Sequence, residues 1–107
     1  MPDVLTDIDG RGVATVTLNR PDVHNAFNAE VIAELHAAVA AMDVHQDVRV
    51  IVLRGAGRSF SAGADLGWMR EAAAWSDEDN RADAMKLAAM LDALNGAAKP
   101  TVALVQG

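Results

Sequence analysis

A chain of 107 residues, 51% hydrophobic and 22% charged, suffices for one modest domain with a single core and lacks the composition of a disordered segment. Its formal net charge of −6 argues against nucleic acid or an anionic membrane surface as the main partner, and the lack of cysteine excludes a disulfide framework and thiolate metal sites. The acidic start "MPDVLTDIDG" has no apolar signal core and no apolar run approaches the roughly 20 residues of a membrane helix, so a cytoplasmic setting is expected.

"VLTDI" and "VATVTL" flank "DGRG". Asp-Gly between two alternating apolar runs predicts a hairpin, with strands near 3–8 and 13–18 and Gly accepting positive φ. "NRPDVHNAFN" holds turn residues and no clean period, and reads as an ordered loop. Val31, Leu35, Val39 and Met42 then recur at helical spacing, predicting a helix over about 29–45 with Asn28 as its N-cap. "VRVIVLR", 48–54, is a near-continuous β-branched run, the pattern of a strand buried on both faces.

A Gly-rich loop, "GAGRSFSAG", comes next. "ADLGWMREAAAW" looks helical, with Asp65 capping its first turn. Ser76 and the acids after it open another helix, marked by Ala82, Met85, Ala89 and Leu94 and running to about Asn95, with Gly96 suited to the C′ position. "KPTVALV" is a final strand. The order ββ-α-β-α-α-β is that of an α/β domain. An apolar strand normally feeds a further element, so residues 1–107 are expected to be the N-terminal part of a longer domain.

Gly55-Ala56-Gly57 after a strand is a near miss for a dinucleotide fingerprint, with Phe60 where a third small residue belongs. Ala62-Gly63-Ala64 sets three small residues directly before a helix start. There backbone N–H groups lack internal partners and can donate to a negative oxygen; the ordinary alternative is a tight loop. Ser59 and Ser61 have no neighbouring His, and nothing local joins them to His24, His36 or His45 in a triad; His36 and His45 read as solvent-facing. The segment Val23 to Phe27 could line a pocket, with Arg20 and His24 beside an anionic group, or simply pack on the sheet. Trp68 and Met69 read as core. No spacing suggests a metal site.

"TLNRPDVHNAFN", "VRVIVLRGAGRSFSAGADL" and "KPTVALVQG", in this order, resemble the enoyl-CoA hydratase/isomerase (crotonase) superfamily. The Trp-Met pair in "AGADLGWM" also resembles its methylglutaconyl-CoA hydratase-like branch. The resemblance implies a spiral of ββα units assembling as trimers or pairs of trimers. It implies an acyl-CoA thioester substrate, with coenzyme A part of that substrate and no separate cofactor. Two backbone N–H groups would hold the thioester oxygen as an enolate, the first from Ala64. Ala62, Gly63, Asp65 and Leu66 would form one CoA-binding wall with it, and Val23, His24 and Ala26 the other. The second donor would follow Val105-Gln106-Gly107, and the catalytic Glu residues would come later still. Glu71, Glu78 and the remaining acids read as surface or cap residues, and residues 1–107 by themselves are expected to lack hydratase activity.

Overall fold

β1 (Val4–Ile8) and β2 (Val13–Leu18) form an antiparallel hairpin that pairs Val4 with Leu18 and Ile8 with Ala14, in a computed structural model that describes residues 2–107. The Asp9 N–H donates to the Val13 carbonyl at 3.0 Å and the Gly12 N–H to the Asp9 carbonyl at 3.2 Å, so the turn encloses three residues, Gly10 to Gly12, the last of which takes the left-handed conformation. Positive φ therefore falls on Gly12 (87°) and not on Gly10. A Cβ at Gly12 would lie 2.6 Å from Arg49 Cγ, so the glycine also admits the neighbouring chain. The Asp9 carboxylate accepts the Val13 and Arg11 N–H groups, which hold its pKa below the ordinary carboxylate value.

α1 (Ala29–Val44) carries the chain to β3 (Val50–Gly55), parallel to β2. α2 (Leu66–Ala73) and α3 (Asp77–Asn95) then lead to β4 (Thr101–Leu104), parallel to β3, and the sheet order is β1-β2-β3-β4. The expected element order and caps hold. Asn28 Oδ1 accepts the Val31 N–H at 2.9 Å, and Ser76 Oγ accepts the Asp79 N–H at 3.1 Å. Gly96 closes α3 at φ −94°, so the left-handed freedom expected of a C′ glycine is not used.

The core lies between one sheet face and the helices. Ala14, Val16 and Leu18 alternate inward from β2, with Ile51 of β3 beside them. Val31, Ile32, Leu35 and Val39 of α1 close over them, and Met90 enters from α3. Lys99 Nζ donates to the Met42 and His45 carbonyls at the end of α1, a cation at a helix C-terminus. Among the described residues no helix is long and apolar enough to cross a membrane.

Two expectations need correction. β3 is not buried on both faces: Val50 and Val52 are half-buried, and Val102, opposite Val52, is exposed. The helices cover one sheet face only, and the β-branched run is apolar on the uncovered face as well. On α3 the inward stripe is Asp83, Leu87, Met90 and Leu94, while Ala82, Met85 and Ala89 are exposed. Met85 and Ala89 instead line a groove between α1 and α3, so an Ala-rich helix offers two stripes of the same period.

Candidate functional site

Two loops build the site, one after β2 and one after β3. In the first, Pro21 opens a single 3-10 turn (Pro21–Val23), and His24 and Asn25 follow with φ of 54° and 55°. His and Asn tolerate this left-handed region better than most residues. The Asn25 side chain is buried and fully used. Its Oδ1 accepts the Arg20 N–H at 2.7 Å, and its Nδ2 donates to the Ala56 and Ser59 carbonyls at 2.9 and 2.8 Å. One amide group thereby joins the two loops.

The second loop accommodates that amide because Gly55 has no side chain. A Cβ there would sit 2.8 Å from Asn25 Nδ2 and 2.5 Å from the Phe60 carbonyl oxygen. Further along, the Ala62 N–H donates to the His24 carbonyl at 2.9 Å and Ser61 Oγ donates to the Asn25 carbonyl at 2.9 Å. The Phe27 N–H donates to the Gly63 carbonyl and the Asp65 N–H to the Phe27 carbonyl, both at 2.6 Å. These two bonds make Phe27 and Ala64 an isolated parallel bridge.

In a parallel bridge the residues flanking Ala64 turn their polar groups toward Phe27, so the N–H of Ala64 itself points the other way. Among the described residues no acceptor pairs with it. It lies at a cleft of about 400 Å³ lined by Val23, Ala26, Ala62, Ala64, Asp65, Leu66 and Gly67. Six of the eight residues singled out from the sequence meet there. His24 and Gly63 belong to the same loops but do not line the cleft, and Gly67, which does, was missed.

Asp65 ends the loop and caps α2, accepting the Trp68 N–H at 3.0 Å. Its other oxygen pairs with Arg20 Nη2 at 3.3 Å, and Arg20 Nη1 donates to the Ala26 carbonyl at 2.7 Å. The Trp68 N–H, and after it Arg20, hold the Asp65 pKa below the ordinary value, against the opposing effect of burial. Arg20 was expected beside a ligand's anionic group; its guanidinium faces a carboxylate of the chain itself. Trp68 packs against the core and donates from Nε1 to Asp83 at 2.6 Å, tying α2 to α3, whereas Met69, expected in the core, is exposed.

His24 Nδ1 lies 3.0 Å from Ser59 Oγ, a pairing that sequence distance concealed. No carboxylate among the described residues bonds this imidazole, so the pair lacks the orienting acid of a triad. His45 Nδ1 accepts the Asp47 N–H and His36 is half-buried at the α1–α3 groove, so neither is simply solvent-facing. Glu71 and Glu78 are exposed. Among the described residues no three His, Asp or Glu side chains cluster as a metal site. The dinucleotide fingerprint fails on geometry: α2 begins at Leu66, well past Gly57, so these glycines do not open a helix. Gln106 Nε2 donates to the Gly55 carbonyl at 2.9 Å, bringing the segment after β4 onto the same loop.

A family model described as Enoyl-CoA hydratase/isomerase matches residues 9–107. A Thermus thermophilus protein described as an enoyl-CoA hydratase is 32% identical over 96% of this chain and 41% of its own length. A trans-2-decenoyl-[acyl-carrier-protein] isomerase of Streptococcus mutans is 32% identical over 91% of this chain and 35% of its own. The crystal structure of a Legionella pneumophila protein described as an enoyl-CoA hydratase/isomerase (crotonase) superposes with a TM-score of 0.96 at 37% identity, covering 100% of this chain and 41% of that one. The chain thus spans about two fifths of the length of these relatives.

Proposed function

The chain belongs to the enoyl-CoA hydratase/isomerase family, and on that premise we propose that it binds the thioester end of an acyl-CoA with Ala64 as one oxyanion donor. The observation that carries this reading is the unpaired Ala64 N–H on a cleft walled by Val23, Ala26, Ala62 and Leu66. A thioester carbonyl accepting that N–H would be polarised toward an enolate, and the apolar wall strengthens the interaction by excluding water. One such donor contributes about 2.7–4 kcal/mol of transition-state stabilisation. Val23, His24 and Ala26 on one loop, and Ala62 through Leu66 on the other, are proposed to hold the CoA portion, with coenzyme A entering as substrate and no separate cofactor.

Hydration or isomerisation needs more than residues 1–107 supply. In a protein of the relatives' full length a second N–H donor and Glu carboxylates would complete the site; this segment alone is proposed to bind without turnover. The same reading carries a soluble cytoplasmic enzyme assembled as a trimer or pair of trimers. The Trp68-Met69 pair resembles the methylglutaconyl-CoA hydratase-like branch, and that branch is part of the proposal without an assignment of the acyl group.

Titration of the ¹⁵N-labelled protein with crotonyl-CoA tests the proposal. The Ala64 amide is expected to shift progressively, with NAD leaving it unmoved. A shift with NAD and none with crotonyl-CoA would overturn it, and enzyme-like turnover of crotonyl-CoA would overturn the claim that the segment is catalytically silent.

A further inference from the structure

Resting on the reading of Ala64 as a donor, we propose that Arg20 is the positioning residue that aims the Ala64 amide. Its guanidinium touches both sides of the Phe27–Ala64 bridge: the Ala26 carbonyl, just before Phe27, and the Asp65 carboxylate, just after Ala64. The bridge has two backbone bonds and no further ladder. Gly63, immediately ahead, sits at φ 89° with open space where a Cβ would point, so the Gly63–Ala64 peptide plane is held on this side by one backbone bond, from the Phe27 N–H to the Gly63 carbonyl. A rigid cross-strand clamp adds a second constraint to this short bridge.

Arg20 is built to be that clamp. Its own N–H is held by Asn25 Oδ1, and its carbonyl accepts the Val23 and Asn25 N–H groups. Its side chain and that of Asp65 are each 19% exposed. Both Asp65 oxygens are committed, one to Arg20 and one to the Trp68 N–H, so the clamp continues into the first turn of α2. A planar fork can serve two acceptors in fixed geometry; an ammonium in its place is a point charge on a flexible stem. Arg20 therefore acts through the backbone, without contact to the substrate.

The test combines amide exchange with the ¹³C shift of carbonyl-labelled crotonyl-CoA bound to the 107-residue protein. In Arg20→Met the Phe27 and Asp65 amides are expected to exchange roughly tenfold faster while β2 and α1 amides keep their rates. The downfield shift of the bound thioester carbonyl should fall by about half or more, and Arg20→Lys should recover only part of it. Should Arg20→Met fail to fold, Asp65→Asn decides, since it keeps an oxygen for the Trp68 N–H and loses the ion pair; the same loss of carbonyl shift is expected. A folded variant with unchanged bridge exchange and an unchanged carbonyl shift would reduce Arg20 to a surface ion pair and overturn the proposal. If the wild-type carbonyl and Ala64 amide ignore the thioester, the donor reading fails instead, and the exchange rates still judge the clamp.

Discussion

Phe27 and Ala64 face each other across a single parallel bridge, and that pairing sends the Ala64 N–H away from every acceptor in the described chain. Hydrogen exchange read residue by residue should show it. The Phe27 and Asp65 amides should be protected and the Ala64 amide between them should exchange fast. Slow exchange at Ala64 would mean that its N–H has an internal partner.

The cleft takes its width from small side chains. Ala62 lines it, while the Ala62 N–H is already bonded to the His24 carbonyl. Ala62→Leu is expected to leave thermal stability within about 0.5 kcal/mol of wild type and to weaken crotonyl-CoA binding about tenfold or more. Calorimetric titration beside a melting curve checks both halves, and undiminished affinity would move the ligand elsewhere.

Asn25 serves three backbone groups from a buried position. Asn25→Ala leaves them without partners in a site too tight for easy hydration, and should cost roughly 2–4 kcal/mol in a denaturant titration. Asn25→Asp should restore only the contact to the Arg20 N–H, because a carboxylate cannot donate to the Ala56 and Ser59 carbonyls.

Gly55 is required by space, since a Cβ would press on backbone oxygens of Phe60 and Ser59 as well as on Asn25 Nδ2. Gly55→Ala is expected to destabilise by about 1–3 kcal/mol and to shift the Asn25 side-chain amide signals, the mark of two loops forced apart. Gly10→Ala, whose added methyl would meet nothing within 4 Å, serves as the control and should be close to neutral.

The Asp65 carboxyl titrates below its ordinary value of 3.8 because the Trp68 N–H and then Arg20 favour its ionised form. A depressed folded pKa adds stability above the unfolded pKa of about 3.9 and loses it as pH falls through the folded value. Asp65→Asn removes that charge while keeping an oxygen for the cap. Melting temperatures between about pH 5 and pH 2 should therefore fall less steeply for the variant and approach wild type at the acid end. Parallel curves would show that the carboxylate's charge contributes nothing to folding.

What this sequence determined by itself is local. The hairpin, the inward alternation of Ala14, Val16 and Leu18, and the caps at Asn28, Asp65 and Ser76 depend on residues a few positions apart, where periodicity and side-chain reach are legible. The quoted blocks also carried the family resemblance, and with it the two loops that share the cleft. Tertiary structure decided the rest. Arg20 and Asp65 are 45 positions apart and His24 and Ser59 are 35 apart, so their pairing depends on how β2 and β3 set their following loops side by side. The inward stripe of α3 depended on which of two apolar stripes met α1, and the open face of β3 on where the helices lay. The direction of the Ala64 N–H depends on residues far away in sequence: pairing with Phe27 turns it outward, and the Arg20 contacts on both sides of that bridge are proposed to hold it there.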